Sequence, residues 1–150
     1  MRDMDKSEPK AIRLSDIKTY VYKDGLLTTF VSTDVWNLGL YFMEPGMDTI
    51  VFSLEEDDDE TADEWYGPIH EFYLILVGEF TVWYGKDAEQ LRKKIGPRFV
   101  LKAGDVASYP PGWKYIVQNT GKVPGTFFWG MSAAPKGTER REISHLKIIE

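Results

Sequence analysis

The sequence predicts an all-β fold, built as a sandwich or barrel of short strands. Apolar and aromatic runs of four to eight residues recur along the 150-residue chain. Clusters of glycine, proline, aspartate and asparagine separate these runs. This spacing suits a sandwich or barrel and does not suit a parallel α/β sheet, whose strands alternate with long helices.

The elements follow from this pattern in chain order. Strands are predicted at residues 17–22, 26–32, 38–43, 48–54, 71–77, 80–84, 99–101, 106–109, 115–119, 125–132 and, most weakly patterned, 146–149. Residues 86–94 are rich in good helix formers and are predicted to form a short surface helix between two strands. Glycine 78 is expected to permit the tight turn after the strand at 71–77.

The composition limits the class of protein. A length of 150 residues suits a single domain, with a core at about 38–135 and an arm at each end. The absence of cysteine excludes disulfides, thiolate metal sites and a cysteine nucleophile. The first residues lack the apolar stretch of a signal peptide, and no run approaches the roughly 20 apolar residues of a membrane helix. We therefore expect a soluble, cytoplasmic protein that binds no membrane, and edge strands in the arms predict a homodimer.

The net charge of −6 arises from one segment. Eight of the 24 acidic residues lie at 55–64, so the rest of the chain carries 16 acids against 18 bases. Basic residues are not clustered, which argues against a nucleic-acid partner. The acidic segment is interpreted either as a solvated loop or as a site for a cation or a basic partner. Its spacing lacks the mid-loop glycine of ordered calcium loops.

Two motifs stand in order along the chain. The first has Glu71 followed, after six residues, by Gly78, and the second reads Gly104-x5-Pro110-x-Gly112-x2-Tyr115-x3-Asn119. Together they resemble the two motifs of the cupin superfamily, over roughly residues 38–135. The resemblance implies a cupin-type double-stranded β-helix, or jelly-roll, barrel. It also implies a place for a divalent metal, which cupins hold with three histidines and one glutamate.

The metal-binding residues depart from that pattern. Of the four ligands only Glu71 is present, and Tyr115 replaces the histidine of the second motif. The first motif's histidine positions fall on Trp65 and Gly67, or on Glu64 and Tyr66, depending on the alignment. The chain has only two histidines, so one chain cannot supply three. A divalent metal is therefore disfavoured, and its ligands, if one is bound, would be Glu71, His70 and Glu64.

The candidate site centres on Glu71. Because alternate residues of a barrel strand point inward, Glu71, Tyr73, Ile75 and Val77 should share the inner face, with His70 and Phe72 on the outer face. An isolated buried carboxylate is costly, so Glu71 needs a cation, a proton or a donor such as the Tyr115 hydroxyl. The residues expected to line a ligand pocket are Trp65, Tyr66, Gly67, Tyr73, Asn119 and Trp129. Asn119 is also suited to bracing the turn that follows it. Trp36, Trp83 and Trp113 are expected to be packing or surface residues.

Three functions remain open on this basis. The first is binding of a small, largely apolar molecule in the barrel without the usual metal centre. The second is a cupin enzyme of the isomerase, lyase or dioxygenase type, in which Glu71 and Tyr115 act as acid and base or serve an atypical metal. The third is a regulatory protein that binds a partner through the acidic segment 55–64.

Overall fold

The strands form two antiparallel sheets. The structure is a computed structural model that describes residues 8–22, 25–32, 35–53, 70–132 and 147–148. The strands are β1 (Thr19–Tyr22), β2 (Gly25–Ser32), β3 (Trp36–Met43), β4 (Phe52–Ser53), β5 (Glu71–Val77), β6 (Glu79–Gly85), β7 (Arg98–Lys102), β8 (Val106–Tyr109), β9 (Lys114–Asn119), β10 (Gly125–Ser132) and β11 (Lys147–Ile148). Helix α1 covers Ala88–Arg92 and a single 3-10 turn covers Leu14–Asp16.

The two sheets pack face to face around one core. The larger sheet has the strand order β11-β1-β2-β3-β10-β5-β8, and the smaller has the order β4-β9-β6-β7. Side chains of both sheets meet in a single buried cluster, in which the ring of Phe80 on β6 packs edge-on against Phe127 on β10 with centroids 5.3 Å apart. The all-β jelly-roll prediction is therefore confirmed.

The helix predicted at 86–94 forms as α1 on the outer face of the smaller sheet. Asp87 precedes it, and its side chain accepts a hydrogen bond from the backbone N–H of Gln90 at 3.3 Å, which caps the helix. Leu91 is its buried residue and packs with Val51, Trp83 and Ile116 in a second apolar cluster. Trp83 is thus a packing residue and Trp36 a surface residue, both within the expectation.

Two predictions about strands were wrong in detail. Val77 was expected on the inner face, but it is 49% exposed, because the β5–β10 register shifts between Thr126 and Phe127 and turns the end of β5 outward.

The strand predicted at 48–54 shortens to β4. Ahead of β4, the Thr49 hydroxyl accepts from the Val117 N–H at 3.0 Å and so replaces a regular ladder bond.

The chain outside residues 38–135 takes part in the larger sheet. β1 pairs with β2, and β2 pairs with β3 in turn. β11 pairs with β1 of the same chain, with Tyr20 opposite Ile148. Among the described residues, no helix is long and apolar enough to cross a membrane.

Candidate functional site

The candidate site lies at one end of the barrel, where β5 and β9 begin and β6 and β8 finish. Glu71 on β5 pairs with Tyr109 on β8, and Tyr115 on β9 pairs with Tyr84 on β6. Glu71 and Tyr109 point into the core, as the alternation of buried and exposed residues along β5 and β8 shows, and Tyr115 belongs to the buried core cluster. His70 is exposed and Phe72 is 40% exposed, as predicted for the outer face.

Glu71 and Tyr115 form the central pair of the site. The Tyr115 hydroxyl donates a hydrogen bond to Oε2 of Glu71, and this bond joins the larger sheet to the smaller one. Glu71 is 8% exposed and Tyr115 is fully buried. Burial raises the pKa of Glu71 to about 8, although the bond from Tyr115 partly opposes this rise. Glu71 is therefore protonated and neutral near pH 7.

Two further tyrosines surround this pair. The ring of Tyr109 stacks on that of Tyr115 with centroids 4.0 Å apart, and Tyr73 meets Tyr109 edge-on at 4.8 Å. Burial, followed by the proximity of Glu71, raises the pKa of Tyr73, Tyr109 and Tyr115 well above the ordinary value. These phenols are therefore neutral hydrogen-bonding groups and not anions.

Two buried polar atoms near this cluster have no hydrogen-bond partner in the part of the chain that the structure describes. They are the Tyr109 hydroxyl and Nε1 of Trp129. Trp129 lies opposite Tyr73 on the neighbouring strand, so both orphaned atoms belong to inward-facing residues beside Glu71. A buried polar group without a partner costs about 1–3 kcal/mol, and a water molecule or a ligand atom commonly satisfies it.

A cleft of about 230 Å³ opens beside the cluster. Its walls are Tyr84, Phe99, Ser108, Tyr109, Pro110 and Trp113. The Tyr84 ring meets Trp113 edge-on with centroids 5.7 Å apart and packs at a tilt against Phe99 with centroids 5.8 Å apart, so the wall is mostly aromatic. Tyr109 is shared between the cleft and the Glu71–Tyr115 pair.

Lys86 is not a wall of this cleft, but it contacts Trp113, which is one. Its ammonium is 3.9 Å from the centre of the Trp113 ring and also donates to the carbonyl oxygen of Gly112. Gly112 has a φ of 88°, a backbone conformation that glycine adopts without strain and that brings this carbonyl to the lysine at the turn before β9. One aromatic wall of the cleft, Trp113, is therefore in contact with a cation.

The predicted site residues divide into three groups. Tyr73 is buried beside Glu71 and Tyr115, as the inner-face pattern predicted, and Trp129 is buried opposite Tyr73, but neither is a wall of the cleft. Asn119 lies at the opposite end of the barrel, where its Nδ2 donates to the carbonyls of Met43 and Val123 and its Oδ1 accepts from the Gly121 N–H. It therefore braces the following turn and is not brought to Glu71. Trp65, Tyr66, Gly67 and Glu64 lie outside the described residues.

The residues around Glu71 do not suit a divalent metal. Among the described residues no group of three His, Cys, Asp or Glu side chains comes together. The described side chains next to Glu71 are the phenols of Tyr73, Tyr109 and Tyr115 and the indole of Trp129, and not the imidazoles and carboxylates that divalent metals prefer. No chemical step through a metal is derived for this site.

Sequence reasoning missed the walls of the cleft. Tyr84, Phe99 and Tyr109 were read as strand residues, and Trp113 was expected to pack or to lie on the surface. Tyr109 could have been identified from the sequence, because it directly precedes Pro110 in the second motif. It also ends a strand whose alternating pattern shows which residues face inward. The other walls come from different strands, so their proximity depends on strand register.

Solved structures share this architecture. A predicted oxalate decarboxylase from Thermotoga maritima is 18% identical, with a TM-score of 0.63 over 83% of this chain and 99% of that one. A protein with a double-stranded β-helix domain from Klebsiella pneumoniae is 16% identical, with a TM-score of 0.61 over 90% and 99%. CENP-C from Drosophila melanogaster, solved bound to CAL1, is 15% identical, with a TM-score of 0.60 over 79% and 82%.

In sequence comparisons, no family model and no curated protein matches the chain. The structural neighbours include cupin domains, so the chain has the cupin fold predicted from its two motifs. Identities of 15–18% show a shared fold and do not transfer an activity.

Proposed function

We propose that this cupin-fold protein binds a small apolar or aromatic molecule in the cleft at the Tyr109 end of its barrel, without a three-histidine metal centre. One observation carries the proposal. An aromatic-walled cleft shares Tyr109 with a buried cluster of polar groups. Small-molecule sites typically combine an apolar wall with a few converging polar groups, and this end of the barrel has both.

The size of the cleft limits the ligand. An apolar cavity of about 150 Å³ is large enough to hold benzene. A cleft of about 230 Å³ therefore suits one ring with one or two substituents. Rings of this kind stack or pack edge-on against Tyr84, Phe99 and Trp113, which supply the apolar contact area.

Saturation-transfer NMR with p-cresol and benzyl alcohol tests the proposal. Both are neutral single rings, and we expect saturation to reach them from the protein. Trp113→Ala should weaken this transfer about tenfold or more, because it removes the largest wall of the cleft. Trp36→Ala is the matched control, since that indole is exposed and is not a wall of the cleft. The proposal would be overturned if Trp113→Ala binds both molecules as well as Trp36→Ala does. It would also be overturned if neither molecule receives saturation from the unaltered protein.

An acid–base enzyme is the second candidate, and the pKa of Glu71 favours it. A carboxyl with a pKa of about 8 beside a tyrosine hydroxyl can give or take a proton near neutral pH. Glu71 is not a wall of the cleft, so the reacting atom of a substrate would have to reach past Tyr109. The test is deuterium exchange into a bound ligand in D₂O. Glu71→Gln should abolish exchange and keep binding, and exchange that persists would exclude this role.

Two further expectations remain proposals. The first is that the acidic segment 55–64, which lies outside the described residues, docks a protein partner. The structural neighbour solved bound to CAL1 supports the general idea that such a fold can hold a protein partner. A homodimer in the cytoplasm also remains a proposal, supported by the edge positions of β11 and β8 in the larger sheet.

A further inference from the structure

We infer that the cleft selects a small aromatic carboxylate, whose ring enters between Tyr84, Phe99 and Trp113 and whose carboxylate meets the ammonium of Lys86. The inference rests on the proposed function and specifies the chemical class of its ligand. It depends on the contact between one cation and an aromatic wall of the cleft.

The position of Lys86 is fixed on two sides. Its ammonium lies over the face of Trp113 and donates to the Gly112 carbonyl, and Trp113 is itself a wall of the cleft. An ammonium has three N–H donors, so two remain for a ligand. A lysine held in this way loses less side-chain entropy when it binds an anion than a freely moving one does.

Lys86 has no carboxylate partner in the chain segments that the structure describes, where the ion pairs are Arg92–Glu89 and Lys94–Asp48. The neighbouring acid, Asp87, uses its side chain to cap α1. No described carboxylate therefore competes with a ligand for the positive charge of Lys86.

The described titratable groups next to Tyr109 do not repel an anion. Glu71 is the carboxyl nearest to Tyr109 in the strand pairing, and it is neutral at pH 7 because burial raises its pKa to about 8. The tyrosines around it are neutral as well. Lys86 therefore places one positive charge against a wall of the cleft, and this charge favours a ligand with one negative group at one edge of a ring.

Benzoate and benzamide are the probes for this inference. They have nearly the same size and shape, but only benzoate is charged at neutral pH. We expect benzoate to bind the unaltered chain about three- to tenfold more tightly than benzamide, as measured by saturation-transfer NMR titration. Raising NaCl from about 50 to about 500 mM should reduce this preference and leave benzamide binding unchanged.

Lys86→Gln should remove the preference for benzoate, whereas Lys86→Arg, which keeps the charge, should retain it. Lys122→Gln is the matched control, because Lys122 is also exposed but follows β9 at the opposite end of the barrel. Thermal melts of all variants establish that each is folded.

The outcomes separate this inference from the proposed function. If benzamide binds as tightly as benzoate, or Lys86→Gln leaves benzoate binding unchanged, the ligand class is wrong while the cleft remains a binding site. If neither probe binds and p-cresol and benzyl alcohol also fail, both the ligand class and the proposed function are wrong.

Discussion

Glu71 and Tyr115 sit side by side at one end of the barrel but belong to different sheets. Among the described residues, Glu71 is the carboxyl whose protonation the fold changes most, because it is buried among rings and receives one hydrogen bond. The fold therefore holds a proton that the unfolded chain would release at neutral pH.

This difference in protonation makes the stability of the fold depend on pH. The unfolded chain loses the Glu71 proton above pH 4.5, whereas the folded chain keeps it up to about pH 8. The contribution of Glu71 to stability is thus fully present below pH 4.5, declines as the pH rises, and is lost above about pH 8. The difference between the two pKa values corresponds to roughly 5 kcal/mol in the free energy of unfolding.

Glu71→Gln should therefore flatten the pH dependence of the free energy of unfolding, measured by urea denaturation between about pH 5 and about pH 9. Glu89→Gln is the control, because the Glu89 side chain is 71% exposed and should not alter the slope. A Glu71→Gln chain whose stability still falls as steeply as that of the unaltered chain would mean that Glu71 ionises normally when folded.

At the scale of elements, the close approach of β2, β3 and β10 depends on Gly39. A Cβ at this position would lie 1.9 Å from the carbonyl oxygen of Thr28 and 2.7 Å from Cζ2 of Trp129. The β2–β3 register also shifts beside Gly39, between Thr29 and Val31. The strand must therefore carry no side chain here if Trp129 is to lie inside the barrel.

Gly39→Ala should lower the free energy of unfolding by about 3 kcal/mol or more, because the backbone of β2 cannot yield as a side chain can. Gly85→Ala is the matched control in β6, where the nearest atom to the added Cβ is 3.8 Å away on Leu91. Urea midpoints of the two variants measure the difference. Equal stability of both variants would mean that β2 and β3 are farther apart than described.

The sequence predicted the strands well because a strand is signalled locally. Alternation marks β5 and β8 at their observed bounds, and the helix formers after residue 86 mark α1. The irregular segment before β4 was missed because a Thr49 hydroxyl replaces a backbone acceptor there, which no alternation reveals. The cleft was missed because its walls meet only once the register of β6, β7, β8 and β9 is known.

At the scale of the whole molecule, the chain has the cupin fold, and the interior of its barrel is aromatic and neutral near Glu71. We expect less than about a tenth of an equivalent of transition metal per chain after dialysis, measured by elemental mass spectrometry. Added Zn²⁺ should also leave the melting temperature unchanged, since a ligand that binds only the folded state raises it. About one metal per chain would instead make Glu71 a ligand and favour the enzyme.

The bond between Glu71 and Tyr115 also constrains how the chain can change over evolutionary time. Loss of either residue alone leaves the other as a buried polar group without its partner, which selection would oppose. Replacement of both by apolar residues avoids that cost. Positions 71 and 115, which are 44 residues apart in sequence, should therefore covary among descendants of a common ancestor and keep or lose their polar character together.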